Sequence, residues 1–335
     1  MEARTSVDRN RRRAVLGITG LATGLLPGWG NAASAHDYPS RAIRLINPYA
    51  VGSPVDVVAR IIAQKLDAAW KQPAVVESRT GAGGTVGAAF VAKSAADGYT
   101  LLVSVPTPLT VAPWLFNKLP YDPKTDLVPV WGVLSGGLAL VVRKDFPANN
   151  LEEFIAYVKA HPNEVRCGSA GIASPQHLAA ELFMSRTGTR MIHVPYQGAV
   201  PAMTELIGGT LDVMYDAIGH VTPYVRSGKI KALAMLRPKR SPSLPDLPTG
   251  AEQGLTGVEP PGSVGIYAPR GTPAEILQRL EATVAKGMDD QETKQKLLDM
   301  GMTIDYVQGK EFADLIVRER ELFGDIIKAA GISPQ

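Results

Sequence analysis

Ile46-Asn47-Pro48-Tyr49-Ala50-Val51-Gly52-Ser53-Pro54-Val55-Asp56-Val57-Val58-Ala59-Arg60 carries an apolar run into a glycine turn and out into a helix. The helix start is legible residue by residue. Ser53 is an N-cap, Pro54 suits the first helical position, and Asp56, three after the cap, is an acidic variant of the capping box. Val55, Val58, Ile62 and Ala69 then recur at helical spacing, a stripe that packs on a sheet. Gly52 lets backbone approach closely, and the unpaired amides of the first turn, with the helix dipole behind them, favour a negative group just outside. About 120 residues on, Cys167-Gly168-Ser169-Ala170-Gly171-Ile172-Ala173-Ser174-Pro175-Gln176-His177-Leu178 repeats the device with Ser174 as cap and Pro175 first in the helix. Two such ends, one from each of two lobes, can hold an anion between them. Taken singly, either is also simply a common way to begin a helix.

Outward from that stretch, strand and helix patterns alternate. Strands are expected at 42–47, 74–77, 99–104, 138–143, 165–168, 191–194, 211–215, 230–236 and 263–268. Helices are expected at 54–70, 85–94, 151–160, 175–187, from 201, at 221–226, from a full capping box at Thr272-Pro273-Ala274-Glu275, at 290–300 before Gly301, and at 310–330 before Gly331. The proline-rich stretch 238–261 reads as loop. Alternation of this kind predicts an α/β fold of two lobes, each a mainly parallel sheet flanked by helices, with ligands at the carboxyl ends of strands. The division expected is 1–35 as an export signal, 36–137 as the first lobe, 138–261 as the second, and 262–335 returning to the first.

The 335 residues are 45% hydrophobic and 20% charged, a globular composition with room for two cores. Of the 35 basic and 32 acidic residues, 1–35 hold Arg4, Arg9, Arg11, Arg12 and Arg13 against Glu2 and Asp8, which leaves 30 of each sign. That balance, without a basic run, gives no electrostatic footprint for nucleic acid or an anionic membrane. Arg11-Arg12-Arg13 precede an apolar run at 14–26, and Ala33-Ser34-Ala35 offers a cleavage site before His36. Arg12-Arg13-Ala14-Val15-Leu16 also has twin-arginine character, so the export route stays open between two pathways. A protein exported from the cytoplasm is the expectation, and the resemblance given below implies the periplasm.

Catalytic signatures are thin. Gly81-Ala82-Gly83-Gly84-Thr85-Val86-Gly87 follows a strand and opens a helix, but its spacing is G-x-G-x-x-x-G rather than the dinucleotide fingerprint, and it reads as a nest of amides or a flexible turn. Cys167 and His177 are a conceivable nucleophile and base, against the plainer reading of a core cysteine and a first-turn histidine. Gly168-Ser169-Ala170-Gly171 is not a nucleophile elbow. Cys167 is the sole cysteine, and the five histidines lack metal spacing. Neither metal nor cofactor is expected, nor an enzyme. What remains at strand ends is Tyr49, Ser53, Ser104, Thr107, Ser169, Ser174, Gln197 and Asp216, hydrogen-bonding groups without an activated nucleophile, a lining suited to recognition. Asp216 is open to three roles: ligand contact, helix cap, or a tie between lobes.

Several phrases carry a resemblance: Tyr38-Pro39-Ser40-Arg41-Ala42-Ile43-Arg44, Pro48-Tyr49-Ala50 with Asp56 and Ala59-Arg60, Gly81-Ala82-Gly83-Gly84, and Asp97-Gly98-Tyr99-Thr100-Leu101. Leu119-Pro120-Tyr121-Asp122-Pro123, Gly168-Ser169-Ala170-Gly171, Ser174-Pro175-Gln176-His177-Leu178 and Val194-Pro195-Tyr196-Gln197-Gly198 continue it, as do Gly228-Lys229 and Ala268-Pro269. From 38 to about 306 the chain resembles the Bug-type substrate-binding receptors of tripartite tricarboxylate transporters. The resemblance implies a two-lobed periplasmic-binding-protein fold, a Venus flytrap closing on a small carboxylate and delivering it to a membrane permease, as a monomer. It adds Ala50, Gly52, Asp56, Val105, Ala170, Gly171 and Tyr196 to the expected ligand-binding set. A periplasmic carboxylate sensor acting on a two-component system, or a secreted α/β enzyme, are the alternatives. The family's usual Pro-Gly-Gly in the first turn is Val51-Gly52-Ser53 here, and Thr80 replaces a common proline, so the particular acid is not inherited.

Overall fold

In the computed structural model of the protein, residues 38–332 are described apart from Gly136, Ala173, Pro261 and Gly301. The export segment expected at 1–35 and the helix stop expected at Gly301 lie outside the described residues. The chain opens with β1 (Ile43–Asn47), α1 (Pro54–Trp70), β2 (Ala74–Ser78), α2 (Thr85–Ala92), β3 (Thr100–Ser104), the short α3 (Thr107–Thr110) and α4 (Ala112–Leu115), and β4 (Leu127–Ser135). After β4 it continues into β5 (Leu138–Arg143), α5 (Leu151–Ala160), β6 (Arg166–Ser169), α6 (Pro175–Thr187), β7 (Ile192–Pro195), α7 (Ala199–Ile207), β8 (Val213–Ala217), α8 (Ile218–Arg226) and β9 (Ile230–Leu236). It then returns through β10 (Ser263–Pro269), α9 (Ala274–Met288), α10 (Gln291–Asp299), β11 (Met302–Gln308) and α11 (Gly309–Ala329).

Two sheets result, in the orders β11-β4-β10-β3-β1-β2 and β7-β6-β8-β5-β9. Both are mixed rather than mainly parallel. β1 runs parallel to β2 and β3, and β6 to β7 and β8, with a helix between each strand and the next in the chain. β10 is antiparallel to β3 and β4, β11 to β4, and β5 to β8 and β9. The reversal follows from the crossings: a strand that enters a sheet from the other lobe arrives without a crossover helix to turn it parallel.

Each sheet is covered on both faces. Val55, Val58, Ile62 and Leu66 of α1 pack with Ile276, Leu280, Val284 and Met288 of α9 on one side of the first sheet. Ala88, Val91, Phe312 and Ile316 cover its other side. Leu66 rather than Ala69 completes the α1 stripe, since Ala69 is exposed. Phe154 and Phe183 lie on one face of the second sheet, Met203 and Leu206 on the other. A further cluster joins the lobes, with Leu178 and Leu182 of α6 against Phe323, Ile326 and Ile327 of α11.

Two strands escaped the sequence pattern. β4 contains Pro129 and Gly132, and its pairing with β10 is irregular between Ile266 and Tyr267, so neither alternation nor an unbroken apolar run announces it. β11 pairs with β4 across a similar irregularity. The box at Thr272 also failed: Pro273 is the N-cap of α9, without a side-chain cap, because the Thr272 hydroxyl donates to the Pro269 carbonyl at 2.7 Å.

Candidate functional site

The two Ser-Pro helix starts have the same backbone. Ser53 caps α1 at φ −64°, ψ 158° and Ser174 caps α6 at φ −63°, ψ 158°. Each hydroxyl accepts from the amide three residues on, Asp56 at 3.2 Å and His177 at 3.3 Å. The first backbone-closed bonds run from Val57 to Ser53 and from Leu178 to Ser174. Proline supplies no donor at the first position, so the second amides, of Val55 and Gln176, have no carbonyl behind them within the helix. Both starts wall one cavity of about 400 Å³: Ser53, Pro54 and Val55 from α1, Pro175 and Gln176 from α6. Ser174, Tyr49, Ala82 and Gly83 line an adjoining cavity of about 430 Å³, and Tyr49, Val105, Thr107, Val111 and Pro175 border both. The walls are mostly apolar, and the described lining residues include no lysine or arginine. With no cation in the described lining, the groups that could meet an anion here are amides, hydroxyls and helix dipoles.

The first turn is held by a buried carboxylate. Asp56 is 2% exposed. It accepts from the Gly52 amide at 3.0 Å, one residue before the cap, and from the Asn47 side chain at 3.2 Å, while Arg60 closes on it at 2.9 Å. The expected capping box thus reaches Gly52 rather than Ser53, whose own amide bonds Ala50. The Arg60 guanidinium, aided by the Gly52 amide and Asn47, holds the Asp56 carboxyl below the usual carboxylate range against its burial. Asp56 therefore shapes the turn and does not line either cavity.

Tyr49 is the wall between the cavities. Its amide bonds the Asn47 side chain, and its hydroxyl points toward the Gly83 carbonyl at 3.4 Å. Burial pushes its phenol up to about 12, so it acts as a neutral donor. The loop beneath it runs through four positive φ values, Gly81 to Gly84, including Ala82 at 44°. A Cβ on Gly84 would lie 2.9 Å from the Tyr49 hydroxyl, which is why that position needs a glycine.

Of the expected residues, Tyr49, Ser53, Val105, Thr107 and Ser174 come together on these cavities. Ser104 sits behind Val105, fully buried, with its hydroxyl donating to the Val105 carbonyl at 2.7 Å. Ser169 is buried and tied to His193 at 2.6 Å and to the Gly171 carbonyl at 3.1 Å, which folds 169–171 onto itself. Ala50, Gly52, Ala170, Gly171, Tyr196 and Gln197 line neither cavity, and Gln197 is exposed. Asp216 lies behind the wall. It accepts from the Gln176 side chain at 3.2 Å and the Ala217 amide at 2.8 Å and meets His220 at 2.5 Å, which raises the His220 pKa. Through its bond with Gln176 it fixes that side chain.

The Cys167–His177 pair does not assemble. Cys167 is buried within β6 with its thiol toward the Gly168 carbonyl, and burial pushes that thiol well up. The His177 ring stacks on His193 at 3.7 Å between centroids and approaches Glu181. Among the described residues no group of three or more His, Cys, Asp or Glu could hold a metal ion, and no helix is long and apolar enough to cross a membrane.

Sequence reasoning missed Thr110, Leu138, Gln176, Ser263, Glu319 and Phe323, all in the 400 Å³ cavity wall. Glu319 had a signal. It interrupts the apolar stripe Phe312, Ile316, Phe323, Ile327 at a position that faces the core.

Comparison with known proteins agrees with this architecture. The family model of the tripartite tricarboxylate transporter family receptor matches residues 58–332. BugT of Bordetella pertussis is 34% identical over 326 residues, covering 97% of this chain and 99% of that one. Among solved structures, R. palustris Rpa4515 with adipate superposes with a TM-score of 0.75 at 32% identity, covering 89% of this chain and all of that one. MatC from Rhodopseudomonas palustris with bound malate gives 0.70 at 33% identity, covering 87% and 100%. With most of its length matched by that model and nearly all of it aligned to BugT, the chain belongs to the tripartite tricarboxylate transporter receptor family.

Proposed function

We propose that this protein is an extracytoplasmic receptor that binds a small carboxylate between its two lobes and delivers it to a tripartite tricarboxylate transporter in the membrane. The observation that carries the reading is the convergence of two identically built helix starts on one cavity without a lining cation. The adipate and malate in the structures of its relatives support carboxylate as the ligand class. In this reading 36–137 and 262–335 form one lobe and 138–261 the other, and 1–35 is removed on export to the periplasm. Tyr49, Ser53, Thr107, Ser174 and the Gln176 amide are the ligand's hydrogen-bonding partners.

The lobes would close about the two passages between sheets, from β4 to β5 and from β9 to β10. A ligand shifts that equilibrium only by its differential affinity for the closed form. Micromolar binding requires about 8 kcal/mol. One helix start supplies about 0.3 to 2 kcal/mol, so both ends, the hydroxyls and desolvation share the task. The test is mass spectrometry of the ligand released from natively purified protein, joined to thermal unfolding with a panel of carboxylic acids. A carboxylic acid should be recovered and should raise the melting temperature with no product formed. If no acid in a broad panel shifts unfolding, the reading is wrong.

A further inference from the structure

Glu319 of α11 is 1% exposed, lines the 400 Å³ cavity, and leaves its Oε1 without a hydrogen-bond partner. It is not alone. Ser263 Oγ, in the same wall, is buried without a well-formed hydrogen bond; the group it interacts with is Tyr267 Oη, four residues along the same strand and outside the cavity lining. Gln176 Oε1 is unpartnered too, and its orientation is fixed because the amide nitrogen is committed to Asp216 Oδ1. Native folds pair their buried polar atoms, so a group of orphans around one cavity marks where a bound molecule makes bonds. The charge available to the group is one-sided. Gln176 Oε1 can only accept, Glu319 is the acid in a wall whose described residues include no base, and nothing there would neutralise a second carboxylate.

We propose that Glu319 is a specificity-determining residue, forming with Ser263 a subsite that takes an amino group of the ligand, so that the cavity prefers a carboxylate bearing an amine over one bearing a second carboxylate. This rests on the receptor reading above, in which the helix starts hold the first carboxylate. Burial pushes the Glu319 carboxyl up to about 8, with the Arg318 charge opposing, so it keeps a proton near neutrality until a cation arrives. An arriving ammonium ion-pairs with the carboxylate and the displaced proton leaves to solvent. The surrounding charges are otherwise occupied. On β10 the titratable neighbour is Tyr267, and α3 and β4 carry no charged side chain. His177 and Glu181 of α6 approach each other at 3.4 Å, Arg186 bonds the Gly257 carbonyl, and Asp305 of β11 faces Arg237 and Lys239.

Calorimetric titration of length-matched pairs tests this: 4-aminobutanoate with succinate, 5-aminopentanoate with glutarate, 6-aminohexanoate with adipate, against wild type, Glu319→Gln and Ser263→Ala. At about pH 8.5 one amino acid should bind wild type at least about tenfold tighter than its dicarboxylate partner, and Glu319→Gln should abolish that ratio. Lowering the pH to about 6.5 should weaken the amino acid by about tenfold and not the dicarboxylate, a readout that needs no variant to fold. Dicarboxylates binding at least as tightly at every length, or a ratio indifferent to residue 319 and to pH, overturns the subsite while leaving the receptor reading intact. Binding of none of the six acids also overturns the subsite, whereas the receptor reading stands or falls with the broad acid panel above.

Discussion

Asp56 shows how one side chain shapes a cavity that it does not line. Its carboxylate gathers the Gly52 amide, the Asn47 side chain and Arg60, and so fixes the turn that presents Ser53 and the Val55 amide. Asp56→Asn keeps the volume and removes the charge. A hydrogen bond to a charged group contributes about 1.5 to 3 kcal/mol, so thermal or urea unfolding at neutral pH should show a loss of about 1 to 3 kcal/mol. The sign of the pH dependence follows from the depressed carboxyl: its contribution is present above the ordinary aspartate range and disappears as pH falls through the lowered native value. The gap between wild type and variant should therefore close below about pH 4, and a constant gap would show that the loss is steric. The sequence disclosed this residue as a cap partner but not its true partner, because a three-residue spacing names the turn and not which amide the carboxylate reaches.

At the level of elements, α1 and α6 are interchangeable devices set on different sheets. Their starts were readable since Ser, Pro and the third-position amide are local, and local geometry does not wait for the rest of the fold. What surrounds them was not readable. β4 is broken by Pro129 and Gly132 and depends on β10 and β11, which come from more than 120 residues downstream, so its existence is decided by tertiary pairing. Ser263 reaches the cavity from β10 and Glu319 from α11 after it, which is why a reading confined to Ser-Pro starts overlooked them. The two caps offer a direct comparison. Ser53→Ala and Ser174→Ala should each cost about 1 kcal/mol of stability. Both should also weaken acid binding, since the freed helix end becomes mobile at the point of contact. Alanine at Ser174 should not spare affinity while alanine at Ser53 abolishes it. Such an outcome in calorimetry would mean that one helix start binds alone.

The whole molecule adds a constraint that neither lobe has by itself. α11 packs on β4 and β11 of the first sheet and also on α6 of the second, so the last helix is shared between lobes. The joint is apolar: Leu178 and Leu182 on one side, Phe323, Ile326 and Ile327 on the other. Leu178 and Phe323 also border the cavity, whereas Leu182 does not. Leu182 thus separates lobe packing from ligand contact. Leu182→Ala removes buried methyl groups from the joint, a change of about 2 to 5 kcal/mol in a core of this kind. If the joint holds the binding-competent arrangement, the variant populates it less, and the apparent dissociation constant rises by the inverse of that fraction. Calorimetry should find weaker acid binding for Leu182→Ala, and small-angle scattering should find a larger radius of gyration for the free variant than for free wild type. Saturating ligand should restore the wild-type radius, because a ligand that bridges both helix starts supplies the closing free energy the joint has lost. Unchanged affinity with unchanged radius would mean that α11 is a passive pivot, equally packed whether the lobes are open or closed.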